Sequence, residues 1–116
     1  MAGARGEATI QAGEREVCIL FTNRALAEVE GTLKRSIITV AQGIADGTSG
    51  ITEAAHLLRT GMEAARRDAK EAGRVSLLDA FSVLDEAGYS KVVLAVSEAI
   101  AEVLSYGTEG PDAKNP

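Results

Sequence analysis

A change of hydrophobic period occurs within residues 15–44, which read REVCILFTNRALAEVEGTLKRSIITVAQGI. Over residues 15–22, β-branched and aromatic side chains alternate between two faces, which is typical of a β-strand. One of these faces carries Val17, Ile19 and Phe21, and the other carries Cys18 and Leu20. Beyond residue 22 the apolar residues recur every three or four positions, which indicates an amphipathic α-helix. The sequence therefore predicts a strand that leads directly into helical structure.

A second strand is predicted just before this one. Ala8, Ile10 and Ala12 alternate with polar residues over residues 7–12, and a turn follows at positions 13 and 14. These features predict a β-hairpin over residues 7–22. Because two strands alone are only marginally stable, we expect the hairpin to pack against the helices.

The first helical stretch begins with Thr22 or Asn23 as its N-cap and ends near Gly47. Gly31 weakens its middle, and Ser36 is a suitable cap for a new helix, so the stretch is either one helix or two short helices with a bend. Its apolar stripe consists of Leu26, Val29, Leu33, Ile37, Val40 and Ile44.

The next helix is predicted to begin after a glycine-rich loop at residues 47–50. It continues into a charged segment and stops at Gly73. Its expected apolar stripe consists of Ile51, Ala55, Leu58, Met62 and Ala65.

Two further helices are predicted in the last third of the chain. Ser76 precedes Asp79 by three residues, an acidic variant of the capping box, and this helix closes at Gly88. Ser90 is the predicted cap of the last helix, which ends before Gly107. The apolar residues of the two helices are Leu77, Leu78, Phe81, Leu84, Val92, Val93, Val96, Ile100, Val103 and Leu104.

These elements predict an α+β fold that is mainly α: a short N-terminal β-hairpin followed by a compact bundle of four to five short helices. The chain has 116 residues and is 46% hydrophobic. Folding at this length buries roughly 65% of the surface of the unfolded chain, which is enough for a true core. We expect one globular domain over residues 7–107, with the hairpin at 7–22 and the helices at 23–107. Residues 1–6 are predicted to be a flexible leader and 108–116 a flexible tail.

Composition excludes several classes of protein. A net charge of −5 disfavours nonspecific binding to nucleic acid. The single cysteine forms no internal disulfide, and the N-terminus has no signal-peptide pattern. The longest apolar run, residues 17–21, is far shorter than the ~20 residues of a membrane span. We therefore expect a soluble intracellular protein.

No catalytic motif emerges from the sequence. Phosphate-loop and dinucleotide-binding glycine patterns are absent from it. His56 is the only histidine, and Glu53 one turn earlier brings the potential ligands to only two, so we predict a packing or surface role for His56. Cys18 is predicted to be a buried, inert thiol. Asp79, Asp85 and Glu86 are predicted to form the solvated side of their helix. We assign no catalytic residue, metal ligand or cofactor.

A basic segment offers a weak case for nucleic-acid binding. Its cations are Arg59, Arg66, Arg67, Lys70 and Arg74, but Glu63, Asp68 and Glu71 lie between them. Pairing within the helix explains this pattern better than a phosphate-binding strip. Stacking platforms for bases are also scarce, because the chain has two Phe, two Tyr and no Trp.

Interaction with another protein remains as a function. A short strand such as that at residues 7–12 leaves an open edge, and small amphipathic helices commonly pack around a partner segment. Alternatively, every apolar stripe belongs to the internal core, and the sequence does not separate the two interpretations.

Three segments carry a family resemblance: LFTNRALAEVE at residues 20–30, ITEAAHLLRTGM at 51–62 and SLLDAFSVLDEAGYSKVVLAVSEAIAEVL at 76–104. Together with the order of the elements, they resemble the small tail assembly chaperones of long-tailed phages and gene transfer agents. The resemblance spans about residues 6–106. It implies that a leucine-rich helix ends in a turn at residues 59–62.

The resemblance implies a binding function that involves no catalysed reaction. Such a chaperone acts in the host cytoplasm, where it binds the long, mostly helical tape measure protein and keeps it soluble until tail tube subunits polymerise and displace it. No catalytic residue or cofactor is implied, the partner-binding residues stay unassigned, and weak self-association is a hypothesis. Two other functions remain open: a structural tail protein, such as a tube or completion component, and a small regulator that binds nucleic acid.

Overall fold

The computed structural model describes residues 6–71 and 74–106, which form a β-hairpin followed by five helices. This arrangement confirms the predicted α+β, mainly helical fold. The elements are β1 (Glu7–Ala12), β2 (Arg15–Leu20), α1 (Asn23–Leu33), α2 (Ile37–Asp46), α3 (Ile51–Asp68), α4 (Leu77–Ala87) and α5 (Tyr89–Ser105). The predicted tail at residues 108–116 and all but the last residue of the predicted leader lie outside the described residues.

The hairpin is antiparallel, with Ala12 opposite Arg15 across a two-residue turn. Gly13 occupies the first turn position with a φ of +65°, where type II′ turns favour glycine. One face of the hairpin buries Ile10, Ala12, Val17 and Ile19, whereas Thr9, Gln11, Glu16 and Cys18 on the other face are exposed. The prediction that Cys18 is buried is wrong: the register places it opposite Thr9 on the exposed face.

Gly6 belongs to the folded domain and not to a flexible leader, in contrast to the prediction. It is buried, and its carbonyl accepts a hydrogen bond of 2.8 Å from the N–H of Phe21. Its φ is +77°, and a Cβ at this position would lie 2.6 Å from Cγ2 of Val103. Only glycine fits this close approach without strain.

Helices α1 and α2 are separate, so the alternative of two short helices with a bend is confirmed. Lys34 ends α1 in the left-handed conformation, with a φ of +59°. The Ser36 hydroxyl caps α2, and the Glu30 carboxylate accepts the N–H of Ile37 at 2.8 Å. The side chain of Glu30 thereby fixes the bend by satisfying a free N–H at the start of α2.

The predicted caps are confirmed at three of four helices, and Ser36 at the start of α2 is one of them. Thr22 caps α1, and Ser76 forms the predicted capping box with Asp79 at the start of α4. The last helix begins at Tyr89, one residue before the predicted cap Ser90. The reason is that a single residue separates α4 from α5, which leaves no room for a polar cap.

Helix α3 ends at Asp68, five residues before the predicted stop at Gly73. The N–H groups of Lys70 and Glu71 bond back to carbonyls of the last turn at 3.1 and 2.9 Å, which is the Schellman pattern. Lys70 takes the left-handed position of this motif, with a φ of +61°. This helix end was not predictable, because glycine is the usual residue at the left-handed position.

The resemblance implied a helix end at residues 59–62, and this expectation is wrong. These residues lie inside α3, which continues to Asp68. Gly61 lies where α3 crosses β2, and a Cβ there would be 2.9 Å from the Phe21 ring and 3.1 Å from Cβ of Ile19. The glycine therefore allows close packing of helix against strand rather than a turn.

Helix α3 lies at the centre of the fold, in contact with β2, α1, α4 and α5. The predicted stripe of α1 and α2 is buried, apart from the half-buried Leu33. Three residues of the predicted apolar stripes are exposed instead: Ile51 at 52%, Leu78 at 77% and Leu104 at 36%. Ile51 and Leu78 lie in the first turns of their helices, and α4 packs through the face that carries Ala80, Val83 and Leu84.

Candidate protein-binding surface

His56 lies half-buried on α3, and its Nδ1 atom is buried without a hydrogen-bond partner in the described part of the chain. Glu53, the potential second ligand, forms an ion pair with Arg35 in the α1–α2 connection. Among residues 6–71 and 74–106, no three metal-ligating side chains cluster together. The described residues therefore place no third metal ligand beside His56 and Glu53.

The basic segment forms ion pairs along and between helices. Arg59 bonds to Glu63 four residues later at 3.1 Å, which confirms the predicted pairing within the helix. Arg67 reaches Glu28 of α1 at 4.0 Å, a contact between helices that spacing alone did not predict. These acidic neighbours reduce the positive potential that phosphate binding would require.

The acidic residues of α4 are exposed, as predicted. Asp79 belongs to the capping box, and Glu86 pairs with Arg15 of the hairpin at 3.4 Å. The structure thus gives two of these carboxylates structural partners and does not arrange them as an acid/base pair.

Helices α2 and α5 form an open apolar groove on the surface. Its wider part has a volume of about 490 Å³, and a neighbouring part of about 290 Å³ lies toward the start of α5. Among the described residues, no charged side chain lines either part. We call this surface the α2/α5 groove, and its principal residues are Ala41, Ile44, Ala45, Val93, Leu94, Ser97, Ala101 and Leu104.

Two of these groove residues leave much of their apolar surface in water. Leu94 is 60% exposed and Leu104 is 36% exposed. Ile38 is 52% exposed and precedes Ala41 by three residues, so it continues the same side of α2. Full burial of such a side chain is worth about 1.5–3 kcal/mol, so covering these partly exposed residues would contribute about 1 kcal/mol each.

A second apolar stripe on α5 creates the groove. Val92, Val96 and Ile100 point into the core, whereas Leu94, Ser97, Ala101 and Leu104 recur at intervals of three and four on a neighbouring face. The apolar pattern predicted Leu104 on the buried stripe of this helix and did not include Leu94. The position of Leu94 in the sequence could have indicated its exposure. It lies two positions after Val92, and such a residue lies on a different side of the helix.

No helix in the described ranges combines the length and apolar character that a membrane crossing requires.

Comparison of this chain with protein-family models, curated proteins and solved structures found no match.

Proposed function

We propose that this protein is a tail assembly chaperone of the phage or gene transfer agent type. In the host cytoplasm it covers apolar helix faces of a tape measure protein until tail tube subunits replace it. The observation that carries this proposal is the α2/α5 groove, whose described lining residues are uncharged and include the exposed Leu94 and Leu104. The resemblance of three sequence segments to these chaperones supplies the identity of the client.

The groove suits a helical client for a physical reason. Short side chains at Ala41, Ala45, Ser97 and Ala101 let a client backbone approach, while the leucines provide apolar contact at the sides. An amphipathic helix binds such a groove through residues spaced by three, four and seven positions. Each of these residues contributes only about 1 kcal/mol of apolar contact, which is less than the cost of association, so each contact is weak and easily displaced.

Co-expression with the tape measure protein of the same genome tests the proposal. Leu94→Asp places a charge in the groove, and we expect it to reduce the soluble fraction of the tape measure protein several-fold. Leu78→Asp is the matched control, because Leu78 is even more exposed but lies on α4, away from the groove. Equal solubility with both variants would contradict the proposal.

The location of the protein after assembly distinguishes the alternative functions. A chaperone is absent from purified tails, whereas a tube or completion component is present at a fixed ratio to tail subunits. Light scattering over a range of concentrations also tests the weak self-association that several copies along one tape measure protein would favour.

A further inference from the structure

The open face of α5 has a residue order that is the same in both directions. Leu94, Ser97, Ala101 and Leu104 follow one another at intervals of three, four and three positions. Large side chains therefore lie at the two ends and small ones between them, and position 99 is the midpoint of both pairs. Residues at these intervals form one seam along a helix. A second α5 that runs in the opposite direction would present the same order to this seam.

Helix α2 has a pair of small residues at the same level. The end of α2 lies beside the start of α5, so the two helices run antiparallel. Ala41 and Ala45 lie on either side of Ile44, and Ile44 lines both parts of the α2/α5 groove together with Ser97. One two-fold axis can therefore pass through the middle of both helices. Two copies related by this axis would form a four-helix bundle, with α5 against α5 and α2 against α2.

The chemistry of the α2/α5 groove suits pairing with a second copy. Its described lining residues are uncharged, so two such surfaces come together without burying an ionised group. Leu94 of one copy would contact Leu104 of the other, and the small side chains between them allow the helix axes to approach to about 8 Å. Residues 107–116, which follow α5 and lie outside the described ranges, contain no aromatic residue, leucine, isoleucine or valine to fill the groove. A second copy therefore fits better than the chain's own C-terminal segment.

The area of this surface corresponds to a weak dimer. From Leu94 to Leu104 the seam is about 15 Å long, and two helix diameters make the face about 20 Å wide. Such a face contributes roughly 300–500 Å² from each copy, whereas a stable interface takes about 800 Å² from each partner. The exposed side chains of Leu94, Leu104 and Ile38 provide most of the apolar contact. We therefore expect a dissociation constant of about 10 μM to 1 mM.

We propose that two copies of this chain pair through the α2/α5 groove in an antiparallel, two-fold arrangement, which covers the groove while no client is bound. A client helix and a second copy occupy the same surface, so each weakens the binding of the other. Competition with the client rests on the proposed function, whereas the dimer itself does not depend on it.

Glu98 tests the two-fold axis. It is exposed and lies one position from the midpoint of the seam, so the Glu98 carboxylates of the two copies would lie near each other and repel. Glu102 is also exposed on α5, but it lies farther from the midpoint and is turned farther from the seam. At low ionic strength, Glu98→Gln should tighten the dimer about threefold. Glu102→Gln, the matched control, should leave it nearly unchanged, and sedimentation equilibrium measures both.

Cysteine variants test the antiparallel register. The exposed Cys18 is first replaced by serine, and Ser97→Cys and Ala101→Cys are then introduced on separate chains. In the proposed dimer, position 97 of one copy faces position 101 of the other, near the Cα separation of about 4.4–6.8 Å that a disulfide needs. We therefore expect a mixture of the two variants to form linked dimers faster than either variant alone. Faster linking of either variant alone would overturn the proposed register.

The parent protein and two leucine variants complete the test. Sedimentation should show concentration-dependent dimers that Leu94→Asp abolishes and Leu78→Asp, on the exposed side of α4, preserves. A parent protein that stays monomeric at 2 mM, a limit of about twice the weakest expected dissociation constant, would overturn the dimer but leave the proposed function standing. A dimer that survives Leu94→Asp, or an equal response to Glu98→Gln and Glu102→Gln, would also overturn it. Loss of the dimer in Leu94→Asp with no loss of client solubility would support the dimer and contradict the proposed function.

Discussion

Replacement of Gly61 by alanine is expected to destabilise the protein, although alanine is the better helix former. A Cβ at this position would lie 2.9 and 3.0 Å from two ring carbons of Phe21 and 3.1 Å from Cβ of Ile19. Carbon atoms in favourable contact are about 3.5–4.0 Å apart, so the neighbours would have to move by about 0.5–1 Å. Phe21 and Ile19 are 0% and 1% exposed, so they have little room to move.

The expected change in the free energy of unfolding for Gly61→Ala is the difference between two opposing effects. Overpacking of this kind costs about 1–3 kcal/mol, whereas the change from glycine to alanine inside a helix contributes up to about 1 kcal/mol of stability. The net expectation is a loss of about 1 kcal/mol in the free energy of unfolding. In a domain of this size, this loss lowers the melting temperature by about 4 °C.

Urea denaturation of two matched variants measures the effect. Gly31→Ala is the control, because Gly31 also lies inside a helix but its Cβ would meet no atom within 4 Å. We expect Gly31→Ala to stabilise the protein by about 0.5–1 kcal/mol, opposite in sign to Gly61→Ala. The slopes of the transitions should be unchanged, since neither variant changes the surface exposed on unfolding.

The reasoning would be refuted if Gly61→Ala were as stable as the parent protein. A double variant tests the cause as well as the sign. Phe21→Leu removes the ring that the new methyl group would contact, so the cost of Gly61→Ala should fall by at least about 0.5 kcal/mol in that background. An unchanged cost would assign the destabilisation to something other than contact with Phe21.

Three further predictions concern local features. Lys70→Gly should raise the free energy of unfolding by about 1 kcal/mol, because glycine adopts the left-handed conformation without strain; Lys70→Ala should give no such gain in the same urea titration. Ser76→Ala should lower the melting temperature through a loss of about 1 kcal/mol from the capping box, whereas Ser82→Ala on the exposed side of α4 should not. Cys18 should react with a disulfide-exchange reagent in the native protein at the rate of an exposed thiol, and strong protection would contradict its position on the open face of the hairpin.

Local patterns predicted the order and type of the elements. The change of period after residue 22 placed the junction of β2 and α1 correctly, and the spacing of Ser76 and Asp79 identified the start of α4. These features were readable because strand and helix periods and capping motifs involve residues only a few positions apart.

Helix ends that use unusual residues were harder to predict. The ends of α1 and α3 place Lys34 and Lys70 in the left-handed conformation that glycine normally takes. Gly61, in contrast, lies within a helix although the resemblance implied a turn there. At Gly61, close packing against β2 outweighed the low helix preference of glycine.

The α2/α5 groove was not predictable as a site. Leu94 and Leu104 became recognisable as surface residues only when the neighbours of α5 were known.

The amino-acid sequence alone established a hairpin followed by amphipathic helices, since each element depends on the periodicity and caps of its own residues. It did not establish which of two adjacent apolar faces of α5 enters the core. That choice required the three-dimensional arrangement, because burial depends on which other helices and strands cover a face. Here α3 and the hairpin cover the face that carries Val96, while the face with Leu94 remains open beside α2.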